Sequence, residues 1–402
     1  MIVPSASRRL VRAIGALVLA FAPCEAVAHA FGARHELTLP LSAYLWAAAA
    51  AVALSFLVMG LVTALVGRRA GASGPIRRFD LGATMIGRLL ANRIALAAIR
   101  TISVALFLLV LATAAFGSPD PLANFAPTFV WVLWWVGMSY ISAFAGDLWR
   151  LVNPWATLFA WSERILPVLR KPRWTYPEGL GVWPAAFLFA VFAWFELVSA
   201  AGEQPRVLLV LIATYSLLTW TGMALFGREI WRERGELFGV FFGLLARFAV
   251  TGWDGERRRW LLRPPASGLN EAGPASVSMT VFVLLTLSFV FFDGLRETPA
   301  WAGVLQWVTE SMTLRPGLLA LRDAGFDLLK VVQTAGLLAV PVAFGAAYFL
   351  FCRLTRAAAG EGPGTVALAG AFAHSLVPIA IAYHLAHYVS YLLLAGQLAI
   401  PL

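Results

Sequence analysis

Three of the chain's five histidines, His374, His384 and His387, fall in one almost wholly apolar stretch, Val366 to Leu398. An ionisable side chain at bilayer depth costs roughly 2.5–3.5 kcal/mol, so function or hydrogen bonding to other helices must hold it there. His384 and His387 stand three positions apart and share one helical face. The run AYHLAHYVSYLLLAGQ adds Tyr383, Tyr388, Ser390, Tyr391 and Gln397 around them. Carboxylates accompany these imidazoles. Asp293 and Glu297 in FFDGLRETPAW are four apart, again on one face, and Glu196 sits in WFELV. His29, His35 and Glu36 precede the first apolar segment.

Imidazole with carboxylate is the ligand set of zinc, copper, iron or manganese. The pattern therefore predicts His384, His387, His29 and His35 as metal ligands, with Asp293, Glu297 and Glu196 as acids and bases beside them. A plainer reading competes at each position. The span histidines then hydrogen-bond neighbouring helices, Asp293 and Glu297 cap or anchor a helix end, Glu196 snorkels, and His29 and His35 are surface residues. No HExxH, HxH or CxxC occurs, so any metal set must be gathered from distant segments.

The elements that must position these groups are membrane helices. Of the 402 residues 60% are hydrophobic and only 13% charged, where soluble domains carry roughly 25%. The mean hydropathy is +0.78. The expected fold is an all-α polytopic transmembrane bundle. The net charge of +10 comes from arginines grouped in loops, which marks topology and gives no sign of a nucleic-acid partner. The sixteen tryptophans suit two interfacial belts. Two cysteines, Cys24 and Cys352, make no disulfide framework.

Residues 1–28 read as a signal peptide: Arg8, Arg9 and Arg12, then Ile14 to Ala22, then Ala26-Val27-Ala28 as cleavage site. Cleavage after Ala28 leaves His29 as the amino terminus, with an amine and an imidazole; cleavage after Ala30 removes it. One integral domain, 29–402, follows. Its expected spans are 41–66, 99–116, 128–145, 182–200, 207–226, 277–295, 326–351 and 366–398. Loops bearing Arg68, Arg69, Arg77, Arg78, Arg88 and Arg93, then Arg150 to Arg173, Arg228 to Arg234, and Arg353 with Arg356 fall on the cytoplasmic side. Both mature termini are then periplasmic, in a bacterial inner membrane. His384, His387, Asp293, Glu297 and Glu196 gather toward the periplasmic half, and His374 lies deeper, toward the inside.

Glu236 to Val250 is apolar but about 15 residues long, short of the roughly 20 needed to cross. It is expected to lie in the interface, as is the NPWATLFAW segment after the Asn153-Pro154 turn. FGREIWRERGE, with alternating charges, reads as a solvated face. There is no phosphate loop, nucleophile elbow or dinucleotide fingerprint.

The motifs AHAFGARHELTLPL, LVNPWATLF, FGREIWRERGE, FFDGLRETPAW and HSLVPIAIAYHLAHYVSYLL resemble those of bacterial integral membrane proteins described as fenitrothion hydrolases. The resemblance runs over essentially the whole mature chain and brings no catalytic residues with it. It implies hydrolysis of the P–O–aryl bond of an organophosphorus triester. Such reactions commonly use a metal that activates water and polarises the phosphoryl group. The partners are then the lipid bilayer and a small lipophilic substrate, and a second membrane subunit stays open. The alternative is a non-enzymatic membrane protein that transports or delivers a transition metal.

Overall fold

The computed structural model describes residues 79–402 except positions 86, 89–91, 255–258 and 361, together with Trp46, Ala50 and Leu57. The expected signal peptide, His29, His35 and all but those three positions of the expected span 41–66 lie outside the described residues. Arg78–Leu402 forms one compact unit.

The unit is an all-α bundle, with seven helices among the described residues long and apolar enough to cross a membrane. They are named here with two shorter ones between them. Helix α1 is Arg93–Phe116 and α2 is Phe125–Phe144; the short α3 is Pro154–Ile165. Then come α4 (Trp183–Leu197, preceded by the turn Glu178–Leu180), α5 (Pro205–Phe226) and the short α6 (Leu237–Ala246). Last are α7 (Val277–Arg296), α8 (Leu328–Ala359) and α9 (Thr365–Ala399). The chain is thus a polytopic membrane protein. The seven expected spans from 99 onward each coincide with one of these helices.

Side-chain caps start several of them, as orphan N–H groups in an apolar medium require. Asn92 accepts from Ile94 N at 2.8 Å and Ala95 N at 3.2 Å. Asp327 does the same for Leu329 N at 2.9 Å, so this carboxylate caps α8. Burial then ranks the spans: 67% of α7's apolar window is inside the protein and 11% of α1's. Helix α7 is the central post; α1 is a peripheral one.

The two short apolar segments are not interfacial. Helix α6 buries Leu237, Phe238, Val240, Phe241, Phe242, Leu244 and Leu245, so it is hydrophobic on every side. Such a helix belongs in a core, and α6 packs between α2 and α4. Trp155 and Phe159 of α3 are likewise buried. Both are half-length helices whose N-termini meet inside the bundle. Asn153 caps α3 through Ala156 N at 3.0 Å, and Glu236 caps α6 through Phe238 N at 3.1 Å and Gly239 N at 2.7 Å. Asn153 Nδ2 then donates to Glu236 Oε2 at 3.2 Å, and Tyr215, midway along α5, donates to Oε1 at 2.6 Å. Glu236 is therefore fully buried, although FGREIWRERGE reads as a solvated face; Trp231 in that motif is buried too.

From this knot α3 and α6 run to one end of the bundle, called here the basic end. Arg263 donates to Ala246 O at 2.8 Å and Arg247 O at 3.3 Å, meeting the carbonyl end of α6 with a cation. A small antiparallel sheet lies beyond it. Its strands are β1 (Phe79–Asp80), β2 (Thr251–Asp254) and β3 (Arg259–Leu262), in the order β1-β3-β2.

Candidate active site

At the opposite end, α7 and α9 bring Asp293 and His387 together. Asp293 lies one turn before the end of α7 and is buried. Its Oδ2 accepts from His387 Nε2 at 2.9 Å and from Tyr388 OH at 2.5 Å; its Oδ1 accepts from Arg296 Nη2 at 2.7 Å. Arg296 also donates to Leu197 O at the end of α4, so one guanidinium ties α7 to α4. Three donors on one buried carboxylate, one of them a cation, satisfy its charge without water.

Glu196 comes from α4 into the same region. Trp135 Nε1 donates to its Oε1 at 2.6 Å. Trp135 reaches it because Thr128–Val136, inside α2, is wound as a π-helix. That winding redistributes the tryptophans of TFVWVLWWV around the axis, and such stretches recur at functional sites.

His384 is the third group. Its ring lies edge-on to Trp135 with centroids 6.2 Å apart, and 4.6 Å from the ring of Tyr388. Tyr388 is equally close, 4.6 Å, to the ring of His387. Tyr140 donates to the backbone carbonyls of His384 and Leu385 at 3.2 and 3.3 Å, fixing this turn of α9 to α2. His384 Nε2 is buried with no hydrogen-bond partner among the described residues. It lines a cavity of about 30 Å³ together with Glu196, Tyr388, Tyr140 and Ser139, walled by Trp135, Phe189 and Phe241. A space of that size takes a single water molecule, provided polar partners hold it.

Four of the expected residues thus meet: Asp293, His387, Glu196 and His384. Glu297 does not. It is the exposed C-cap residue of α7, because the helix ends there and the i,i+4 relation to Asp293 lapses. His374 is at the basic end, where it accepts from Arg247 Nη1 at 2.7 Å. Among the described residues no three His, Cys, Asp or Glu side chains converge as a metal ion requires. His387 Nε2 is committed to Asp293. The described part of the expected ligand set therefore does not fit a metal, and no step is routed through one.

Sequence reasoning missed Trp135, Tyr140 and Arg296 as members of this cluster. Arg296 had a signal, standing three after Asp293 on the same face. Trp135 had none, because its aim depends on the π-winding. No protein-family model matches the chain, and neither a curated protein nor a solved structure matches it.

Proposed function

We propose that the chain is a membrane-embedded hydrolase of lipophilic organophosphorus triesters, with the Glu196–His384 cavity as the place where water is activated. The observation that carries this reading is His384 Nε2, a buried imidazole nitrogen with no partner among the described residues, sharing a water-sized cavity with a carboxylate. With the ring proton on Nδ1, Nε2 offers a lone pair to a water held by Glu196. In the reaction a water O–P bond forms and the P–O–aryl bond breaks. The water's proton passes to His384 Nε2, and the aryl oxide leaves with the bonding pair. Positioned general bases of this kind contribute about 10²–10⁴-fold. Asp293, His387, Tyr388 and Arg296 hold α7, α9 and α4 in register behind the cavity. The ester is far larger than 30 Å³, so α9 must part from α2 or α4 for phosphorus to reach the water.

The substrate class follows the resemblance in the motifs and the depth of the site, since an aryl phosphorothioate partitions into the bilayer. The arginine loops set the basic end in the cytoplasm and the cluster toward the periplasm of a bacterial inner membrane. The test is nitrophenol release from a chromogenic aryl phosphotriester by protein in proteoliposomes. Wild type turns over, and His384→Ala and Glu196→Gln do not, at unchanged melting temperature. Equal turnover by wild type and both variants would refute the reading.

A second reading draws on the same free nitrogen: His384 as one ligand of a zinc, copper, iron or manganese ion that the protein transports or delivers. Elemental analysis of purified protein decides it. Stoichiometric metal lost in His384→Ala, without ester turnover, would favour handling over hydrolysis.

A further inference from the structure

A second and larger cavity lies on the other face of the aromatic wall. Trp135, Phe192 and Phe238 form that wall, with ring centroids 4.6 Å apart for Trp135–Phe192 and 5.4 Å for Phe192–Phe238. Phe192 and Phe238 line the larger cavity, whereas Trp135 lines the small one. The larger space, between α1, α2, α4 and α5, has a volume of about 660 Å³. Small-molecule sites run roughly 300–1,000 Å³.

Its chemistry is narrow. Four tryptophans line it, Trp131, Trp134, Trp149 and Trp155, and no charged side chain does so among the described residues. Its hydroxyls are mostly spent within the protein. Ser103 donates to Val152 O, and Tyr215 donates to Glu236. A guest that needed several hydrogen bonds would lose roughly 2–7 kcal/mol for each polar group left unpaired here. Flat rings, in contrast, meet indole and phenyl faces in offset or edge-on contacts. The rim on α1 and α5 carries Ile102 and Leu218, 66% and 65% exposed. Both helices read as membrane spans, so this rim continues the lipid-facing surface and opens the cavity to the hydrocarbon.

We propose that this cavity is a binding site for an uncharged aromatic lipophile that enters from the bilayer. The inference goes beyond hydrolysis and stands without it, because it concerns binding alone. It also assigns a role to the half-helix knot. Asn153 and Glu236 fix Trp155 and Phe238, their neighbours or near neighbours in sequence, as the floor of the cavity.

The probe is 4-nitrobiphenyl, an uncharged nitroaromatic that quenches indole fluorescence on contact and has no ester to cleave. Four of the 16 tryptophans line the cavity, a quarter of the total. Titration into proteoliposomes should therefore give a saturable loss of about a quarter of the emission, above the linear quenching seen with a lipid-dissolved indole. Filling the cavity with Leu106→Phe and Leu211→Phe should weaken that saturable phase at least tenfold while preserving the melting temperature. If the double variant fails to fold, Val191→Phe at the rim serves the same purpose. Quenching that stays linear would overturn the proposal, as would a saturable phase unmoved by the filling variants. So would a co-purified phospholipid that 4-nitrobiphenyl cannot displace. Nitrophenol release in a protein that shows no saturable quenching would leave hydrolysis standing and this site refuted.

Discussion

Two buried carboxylate clusters divide the bundle, and they differ in what is left over. At the Glu236 knot the carboxylate itself is fully occupied: two backbone N–H groups, the Asn153 amide and the Tyr215 hydroxyl all point at it. The N-termini of α3 and α6 add their positive ends there. At the Asp293–Glu196 cluster the accounting does not close. Asp293 is satisfied, yet His384 Nε2 is buried without a partner among the described residues, beside a cavity. Buried polar networks that are complete rigidify a fold, and incomplete ones are costly unless something uses them. The contrast is why the proposed chemistry is placed at the second cluster and not at the first.

The largest expected effect lies at the incomplete cluster. His384→Ala and Glu196→Gln should each lower ester turnover by about 10²–10⁴-fold, the scale of a lost general base. Their melting temperatures should hold, because His384→Ala deletes an imidazole whose outer nitrogen has no bond to lose. Differential scanning fluorimetry beside the nitrophenol assay reads both. A fall in melting without a fall in specific activity would erase the distinction between the clusters.

Glu236→Ala should do the reverse. It strips both capping hydrogen bonds from α6 and leaves the Tyr215 hydroxyl and Asn153 Nδ2 unpaired, a loss on the order of 3–5 kcal/mol for a broken buried network. Thermal unfolding in detergent should show it clearly, with turnover per folded molecule near wild type. A stable Glu236→Ala protein would mean that the knot is not what holds the half-helices.

Asp293 stands between these extremes, since it is a satisfied carboxylate inside the cluster proposed to react. Asp293→Asn keeps the volume but weakens the pairing with Arg296, and should cost about 1–3 kcal/mol. It should also lower turnover less than Glu196→Gln does. The smallest effect is expected at Glu297, exposed at the helix end. Glu297→Gln should alter neither melting nor turnover, and a severe loss there would restore it to the site.

The apolar periodless runs and arginine loops determined by themselves that the chain is a polytopic helical bundle, because only a helix satisfies its own backbone in hydrocarbon. His384, His387, Asp293 and Glu196 were legible as candidates for the same reason: an ionisable group in such a run stands out. Their grouping was legible only in part. Spacing put His384 and His387 on one face, but could not show His387 claimed by Asp293. Spacing also paired Asp293 with Glu297, and the end of α7 separated them.

The half-helices were decided by tertiary structure alone. A ten-residue apolar segment is too short to span and equally compatible with interface or core. What settled its place was whether Asn153, Tyr215 and a second N-terminus stood ready to receive Glu236. Those partners come from residues 83 and 21 positions away, and no local pattern encodes such a meeting. The same holds for the free nitrogen of His384. Sequence supplies an imidazole, but only the packed bundle determines which of its hydrogen bonds goes unmade.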